Sequence, residues 1–79
     1  MRVQVRFFAA LRERAGTPAL EVEVPAGATV ARVWSAAVPE ESFTDNVLAA
    51  KNMQYAGFDS LVEEGDEIAF FPPVTGGAG

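Results

Sequence analysis

No residue of this 79-residue chain is cysteine or histidine. Without cysteine there is no disulfide staple, no thiolate zinc site and no cysteine nucleophile. Without histidine the usual general base and metal ligand near neutral pH is missing as well. Basic residues are scarce too: six Lys and Arg against eleven Asp and Glu leave a net charge of −5. That balance argues against a nucleic-acid phosphate backbone as partner and permits a basic protein surface. No apolar run approaches the roughly 18 residues of a membrane-spanning helix. The opening Met1-Arg2-Val3-Gln4 lacks a secretory signal pattern. The expectation is one cytoplasmic domain with no metal, no bound cofactor, no membrane and no nucleic acid. A domain this short buries only about 60% of its unfolded surface, so it needs an efficient core. The apolar fraction of 49% supplies one.

Val3, Val5 and Phe7 alternate with Arg2, Gln4 and Arg6, the period-two signature of a half-buried strand. The residues from Phe8 to Ala15 favour a short helix, which Gly16 ends and Thr17-Pro18 cannot continue. Leu20, Val22 and Val24 alternate with Glu21 and Glu23 as a second strand, antiparallel to the first, closed by the Pro25-Ala26-Gly27 turn. Thr29 is an N-cap for a helix whose apolar stripe is Val30, Val33, Trp34, Ala37 and Val38, stopped by Pro39. Trp34 on that stripe reads as a core anchor rather than a ligand platform. Glu40 to Asp45 has capping-box spacing and reads as a helical turn or loop, its glutamates solvated.

Further along, residues 47–52 and 53–56 read as two short extended pieces about a turn near Asn52, the second ended by Gly57. Phe58 and Leu61 read as core residues beneath an irregular connection. The polar turn Glu63-Glu64-Gly65-Asp66 precedes a last strand, Glu67-Ile68-Ala69-Phe70-Phe71, which is apolar on both faces as a covered central strand would be. Pro72 and Pro73 end it, having no N–H for the ladder.

This order gives an α+β fold: a mixed sheet of about five strands on one main helix, as in the ubiquitin-like β-grasp. There the first and last strands lie side by side and parallel at the centre. The β-grasp domain is expected over residues 1–74 and a flexible tail over 75–79. Phe8 and Phe71 then fall on the face away from the helix, near the root of the tail, where exposed apolar area rimmed by charge marks a contact site. With Pro72 and Pro73 they form the expected partner patch, and Glu63, Glu64, Asp66 and Glu67 its acidic rim. Lys51 and Arg12 are open to contact with a partner or with nothing.

Beyond the Val74-Thr75 spacer the terminus, Gly76-Gly77-Ala78-Gly79, is nearly without side chains. Glycine presents no Cβ, so such a terminus can thread a narrow channel and offer its carboxylate to another protein's active site. Frayed ends also collect small residues for no functional reason.

Arg6-Phe7-Phe8-Ala9 at one end, and at the other Gly65-Asp66-Glu67, a hydrophobic strand, Pro72-Pro73-Val74 and Gly76-Gly77, resemble the small subunits of molybdopterin synthase. These are ubiquitin-like sulfur carriers, and the resemblance spans essentially the whole chain. Carriers of thiamine synthesis and tRNA thiolation share the diglycine but less of the Pro-Pro-Val segment. The resemblance implies a chain that is no enzyme on its own. An ATP-dependent E1-like adenylyltransferase would adenylate the C-terminal carboxylate, and a sulfurtransferase-derived sulfur would make the thiocarboxylate. The tail, with Val74 and Thr75 at its start, would then enter the large subunit and deliver sulfur to cyclic pyranopterin monophosphate within a heterotetramer. The bases would lie on that partner. Such carriers end at the second glycine, here Gly77, whereas Ala78 and Gly79 follow in this chain. Two extended residues add about 7 Å, enough to misplace a reactive terminus. The reactive residue is therefore Gly77 after trimming, with Gly79 as second choice; a third reading makes Ala78-Gly79 foreign to the natural sequence. A protein modifier joined to lysines through the same tail, or a plain interaction module, remains open beside the carrier.

Overall fold

The alternation at the start of the chain becomes β1 (Arg2–Phe7), whose valines and Phe7 are buried while Arg2, Gln4 and Arg6 are exposed. The computed structural model describes residues 1–39 and 47–73. After β1 come α1 (Ala10–Ala15), β2 (Ala19–Glu23), α2 (Val30–Ala37), β3 (Leu48–Lys51), β4 (Gln54–Ala56) and β5 (Glu67–Phe71). The five strands make one mixed sheet in the order β2-β1-β5-β3-β4. β1 pairs antiparallel with β2 and parallel with β5, while β3 is antiparallel to both β4 and β5. The expected β-grasp arrangement, with the chain's first and last strands adjacent and parallel, is thus present.

One sheet face is sealed by α2. Its side is lined by Val3, Val5, Phe7, Val22, Ile68 and Phe70, which meet Val30, Val33 and Trp34 of the helix. Phe70 lies at the centre of an aromatic cluster, with ring centroids 4.9 Å from Trp34, 5.9 Å from Phe58 and 6.1 Å from Phe7. Trp34 is therefore the core anchor its position on the stripe implied. Such a cluster concentrates the apolar burial that a small domain depends on, and its edge-to-face pairs add about 0.5–1.5 kcal/mol each.

Local chemistry explains the helix ends. Thr29 caps α2, its hydroxyl oxygen accepting from the Arg32 N–H at 3.4 Å. The N–H groups of Val30 and Ala31, which a helix cannot satisfy internally, donate to the carbonyls of Ser60 and Phe58 at 2.9 Å. The connection after β4 therefore closes over the start of α2. Gly16 stops α1 in the left-handed region at φ 80°, and its N–H bonds back to the Arg12 carbonyl.

Three readings of the sequence are corrected. Helix α1 begins at Ala10 rather than Phe8, because the Phe8 N–H continues the sheet by donating to the Phe70 carbonyl at 3.1 Å. Leu61 is not a core residue: it is 60% exposed, and its neighbour Val62 is buried instead. The chain there has no regular period to show which side chain turns inward. The last strand is covered on one face only; Glu67, Ala69 and Phe71 are half-buried on the other, where no second layer of the described residues lies over the sheet. The capping-box segment of residues 40–45 lies outside the described residues.

Candidate functional site

The face of the sheet turned away from α2 divides into two halves. Pairing register places Arg2 opposite Glu23 and Gln4 opposite Glu21 across β1 and β2. Their side chains form a polar ladder, with Gln4 Nε2 donating to Glu21 at 2.6 Å and Arg2 within 4.0 Å of both glutamates. Toward β5, β3 and β4 the same face turns apolar. Phe71 sits opposite Leu48, Ala69 opposite Ala50, and Tyr55 beside Ala50. The Tyr55 ring lies 5.8 Å from that of Phe71.

Phe8, Met53, Ala69 and Phe71, with Arg6 and Glu67, line a shallow cavity of about 580 Å³ on this apolar half. Phe8, 45% exposed, and Phe71 share that cavity's lining near the end of β5 from which Pro72 and Pro73 lead away. The backbone bond between Phe8 and Phe70 holds this corner together. Four expected contact residues, Phe8, Phe71, Pro72 and Pro73, are thereby brought to the end of β5. The remaining named residues, Val74, Thr75, Gly76, Gly77, Ala78 and Gly79, lie outside the described residues.

The expected acidic rim is corrected in its placement. β5 runs away from the Glu63–Asp66 turn, so that turn lies at the opposite end of the strand from Phe71, about 13 Å off at a strand rise of about 3.3 Å per residue. Two of its carboxylates are also engaged within the chain. Glu64 accepts from the Arg2 N–H at 2.9 Å, and Asp66 accepts from the Glu63 N–H at 2.7 Å and from Asn52 Nδ2 at 3.0 Å. Only Glu67 of the four lines the cavity, and it is paired with Arg6 Nε at 2.9 Å. Lys51 Nζ donates to the Leu61 carbonyl at 2.9 Å. Arg12 borders a small hollow at the junction of α1 and β2.

Two features escaped sequence reasoning. Met53, 91% exposed, stands at the far end of the cavity from Phe71. Asn52 ties its hairpin to β5 through Asp66 and the Glu67 N–H. The turn chemistry of Asn52 was visible, but its long-range partners were not. Among the described residues no cluster of three or more Asp and Glu is arranged to hold a metal, and no helix is long and apolar enough to cross a membrane.

Comparison with known proteins places the chain in a family. The family model described as the ThiS family matches residues 5–77. The molybdopterin synthase sulfur carrier subunit of Escherichia coli (strain K12) is 39% identical over 80 residues, covering 95% of this chain and 99% of that protein. The crystal structure of SAMP1 from Haloferax volcanii superposes with a TM-score of 0.81 at 30% identity, over 98% of this chain and 100% of that one. A putative molybdopterin converting factor, subunit 1, from Pyrococcus furiosus gives 0.78 at 31% identity, over 94% and 99%. With sequence and fold in agreement, the chain belongs to the ThiS family, alongside the small sulfur-carrier subunits of molybdopterin synthase.

Proposed function

We propose that this chain is the sulfur carrier of molybdenum cofactor biosynthesis, its C-terminal glycine carrying the sulfur as a thiocarboxylate. The observation that supports this most is the match to a molybdopterin synthase sulfur carrier subunit over nearly the full length of both chains. The chemistry divides between this chain and its partners. A carboxylate is a poor electrophile, so its oxygen first attacks the α-phosphorus of ATP on an E1-like adenylyltransferase and releases pyrophosphate. A persulfide supplied through a sulfurtransferase then displaces AMP from the acyl carbon, and a thiol of the partner enzymes, this chain having no cysteine, cleaves the resulting acyl disulfide to leave the thiocarboxylate and a disulfide on the partner. The loaded tail enters the large subunit of molybdopterin synthase, where groups of that subunit act on cyclic pyranopterin monophosphate.

In this reading residues 1–74 are a docking body and 75–79 are the reactive tail. Phe8, Phe71, Pro72 and Pro73 form the contact patch at its root, and Val74 and Thr75 continue that contact into the partner's channel. Gly76 and Gly77 pass where a Cβ would not fit. Gly77 carries the sulfur after Ala78 and Gly79 are trimmed. Intact-mass measurement after incubation with adenylyltransferase, ATP and sulfur donor tests this. One sulfur for oxygen on a chain ending at Gly77 is expected; the same exchange on the full 79 residues moves the reactive position to Gly79, and no exchange on either refutes the carrier.

The likeness to SAMP1 and to the small archaeal modifier protein 1 of Haloferax volcanii favours one second reading. There the same adenylate is captured by a lysine amine of another protein. Isopeptide adducts in extract, without thiocarboxylate, would establish it.

A further inference from the structure

The β3–β4 hairpin holds a large apolar side chain where folding gives it nothing to do. Met53 is exposed at its tip, and both tip residues adopt left-handed backbone, Asn52 at φ 50° and Met53 at φ 73°. A two-residue hairpin turn of this kind needs positive φ at both positions, and Asn-Gly is the sequence that meets it at least cost. Methionine in the second position carries a local strain that glycine would not, and exposes thioether and methylenes to water as well.

The turn is nonetheless pinned. The Asn52 N–H donates to the Glu67 carbonyl at 2.8 Å, Asn52 Oδ1 accepts from the Glu67 N–H at 2.9 Å, and Nδ2 donates to Asp66 at 3.0 Å. Strain held in place by its surroundings is a signal of function when it displays a side chain, and here it displays Met53 over the open face.

Location gives that display its meaning. Lys51 pairs with Ile68, so the tip lies beside the start of β5, and Phe71 stands at the strand's other end. Met53 and the Phe8–Phe71 corner thus bracket one cavity, with small Ala69 between them. Charge gathers at the Met53 end: Asp66 is bonded to the neighbouring Asn52, and Glu67 lines the cavity wall. Arg6 offsets Glu67 alone, and the chain as a whole carries −5.

We infer that Met53 is a second docking anchor, received by an apolar or aromatic hollow fringed with arginine or lysine on the same partner chain that accepts the tail. This rests on the sulfur-carrier reading above. Methionine suits the task because its unbranched, polarisable side chain adapts to a hollow and makes favourable contacts with aromatic rings. A single patch at the tail root leaves the body free to swivel about it. A second contact about four strand residues away, about 13 Å, fixes that rotation and hence the depth and direction at which the terminus is presented. Met53 is a positioning residue; it takes no part in the chemistry.

The test uses the full chain and the candidate large subunit. Met53→Asn keeps a residue that tolerates positive φ while removing the apolar contact. Its melting temperature should equal or exceed that of the parent, while calorimetric titration should show binding about tenfold weaker. Met53→Lys should lose more than Met53→Glu, with the gap narrowing at high salt as the fringe charges are screened. In sulfur transfer from the thiocarboxylated chain, the Asn variant should raise the half-saturating concentration of large subunit, and saturation should restore most of the rate. Binding of Met53→Asn within twofold of the parent overturns the anchor, and equal losses for Lys and Glu overturn the basic fringe. If the parent itself does not bind, the carrier reading falls and this one with it; parent binding with insensitive Met53 variants fails the anchor alone.

Discussion

Replacing Asn52 separates what a backbone conformation contributes from what a side chain contributes. Asn52→Ala removes two hydrogen bonds, to Asp66 and from the Glu67 N–H. Each is worth about 0.5–1.5 kcal/mol net, and the half-buried Glu67 N–H is then left to find water. Alanine must also hold φ near 50°, at a further cost of about 1 kcal/mol. The sum is about 2–4 kcal/mol, a large share of the roughly 5–15 kcal/mol that stabilises a typical domain. Asn52→Gly loses the same bonds but accepts the turn, so it should be about 1 kcal/mol milder. Urea unfolding of both variants at equal m-value measures the difference. A cycle with Asp66→Ala should return a coupling of about 0.5–1.5 kcal/mol for the Asn52–Asp66 pair. If Asn52→Ala costs less than about 0.5 kcal/mol, or glycine proves worse than alanine, the hairpin is not held by this clasp and the reasoning fails.

Ala9 stands at φ 55° and ψ −137°, a region that glycine occupies without penalty. Ala9→Gly should therefore raise stability by about 1 kcal/mol, seen as a higher urea midpoint. Phe70→Ala should cost about 3–5 kcal/mol by emptying the centre of the aromatic cluster, enough for circular dichroism to show loss of the native fold at 37 °C. Phe71→Ala, half-exposed on the open face, should cost far less stability yet weaken large-subunit binding about tenfold in a titration. Removing residues 76–79 should leave the melting temperature within a few degrees and abolish thiocarboxylate formation by mass spectrometry.

Most of the architecture was legible because the chain's periods are clean. Val3, Val5 and Phe7 could face only one way, Thr29 and Gly16 marked helix boundaries by their hydrogen-bonding and φ preferences, and Pro72 had to end the last strand. The aromatic corner of the site followed from the same alternation, since Phe8 and Phe71 are out of phase with Phe7 and Phe70. What was not legible depended on distance or on irregular backbone. Leu61 and Val62 lie in a connection without a period, so nothing local told which was buried. In sequence the acidic turn stands close to the tail patch, yet the direction of β5 carries it to the other end of the strand. The partners of Asn52 are 14 and 15 residues further along the chain, beyond the reach of any local pattern.

The position of β5 between two neighbours also has a mechanical side. Any partner that draws on the residues beyond Pro73 pulls along a strand zipped to β1 on one flank and to β3 on the other. The load falls lengthwise on both ladders together, rather than peeling one bond at a time as it would at a sheet margin. Loading of that kind strains many ladder bonds at once, so β5 resists being drawn out along its own axis.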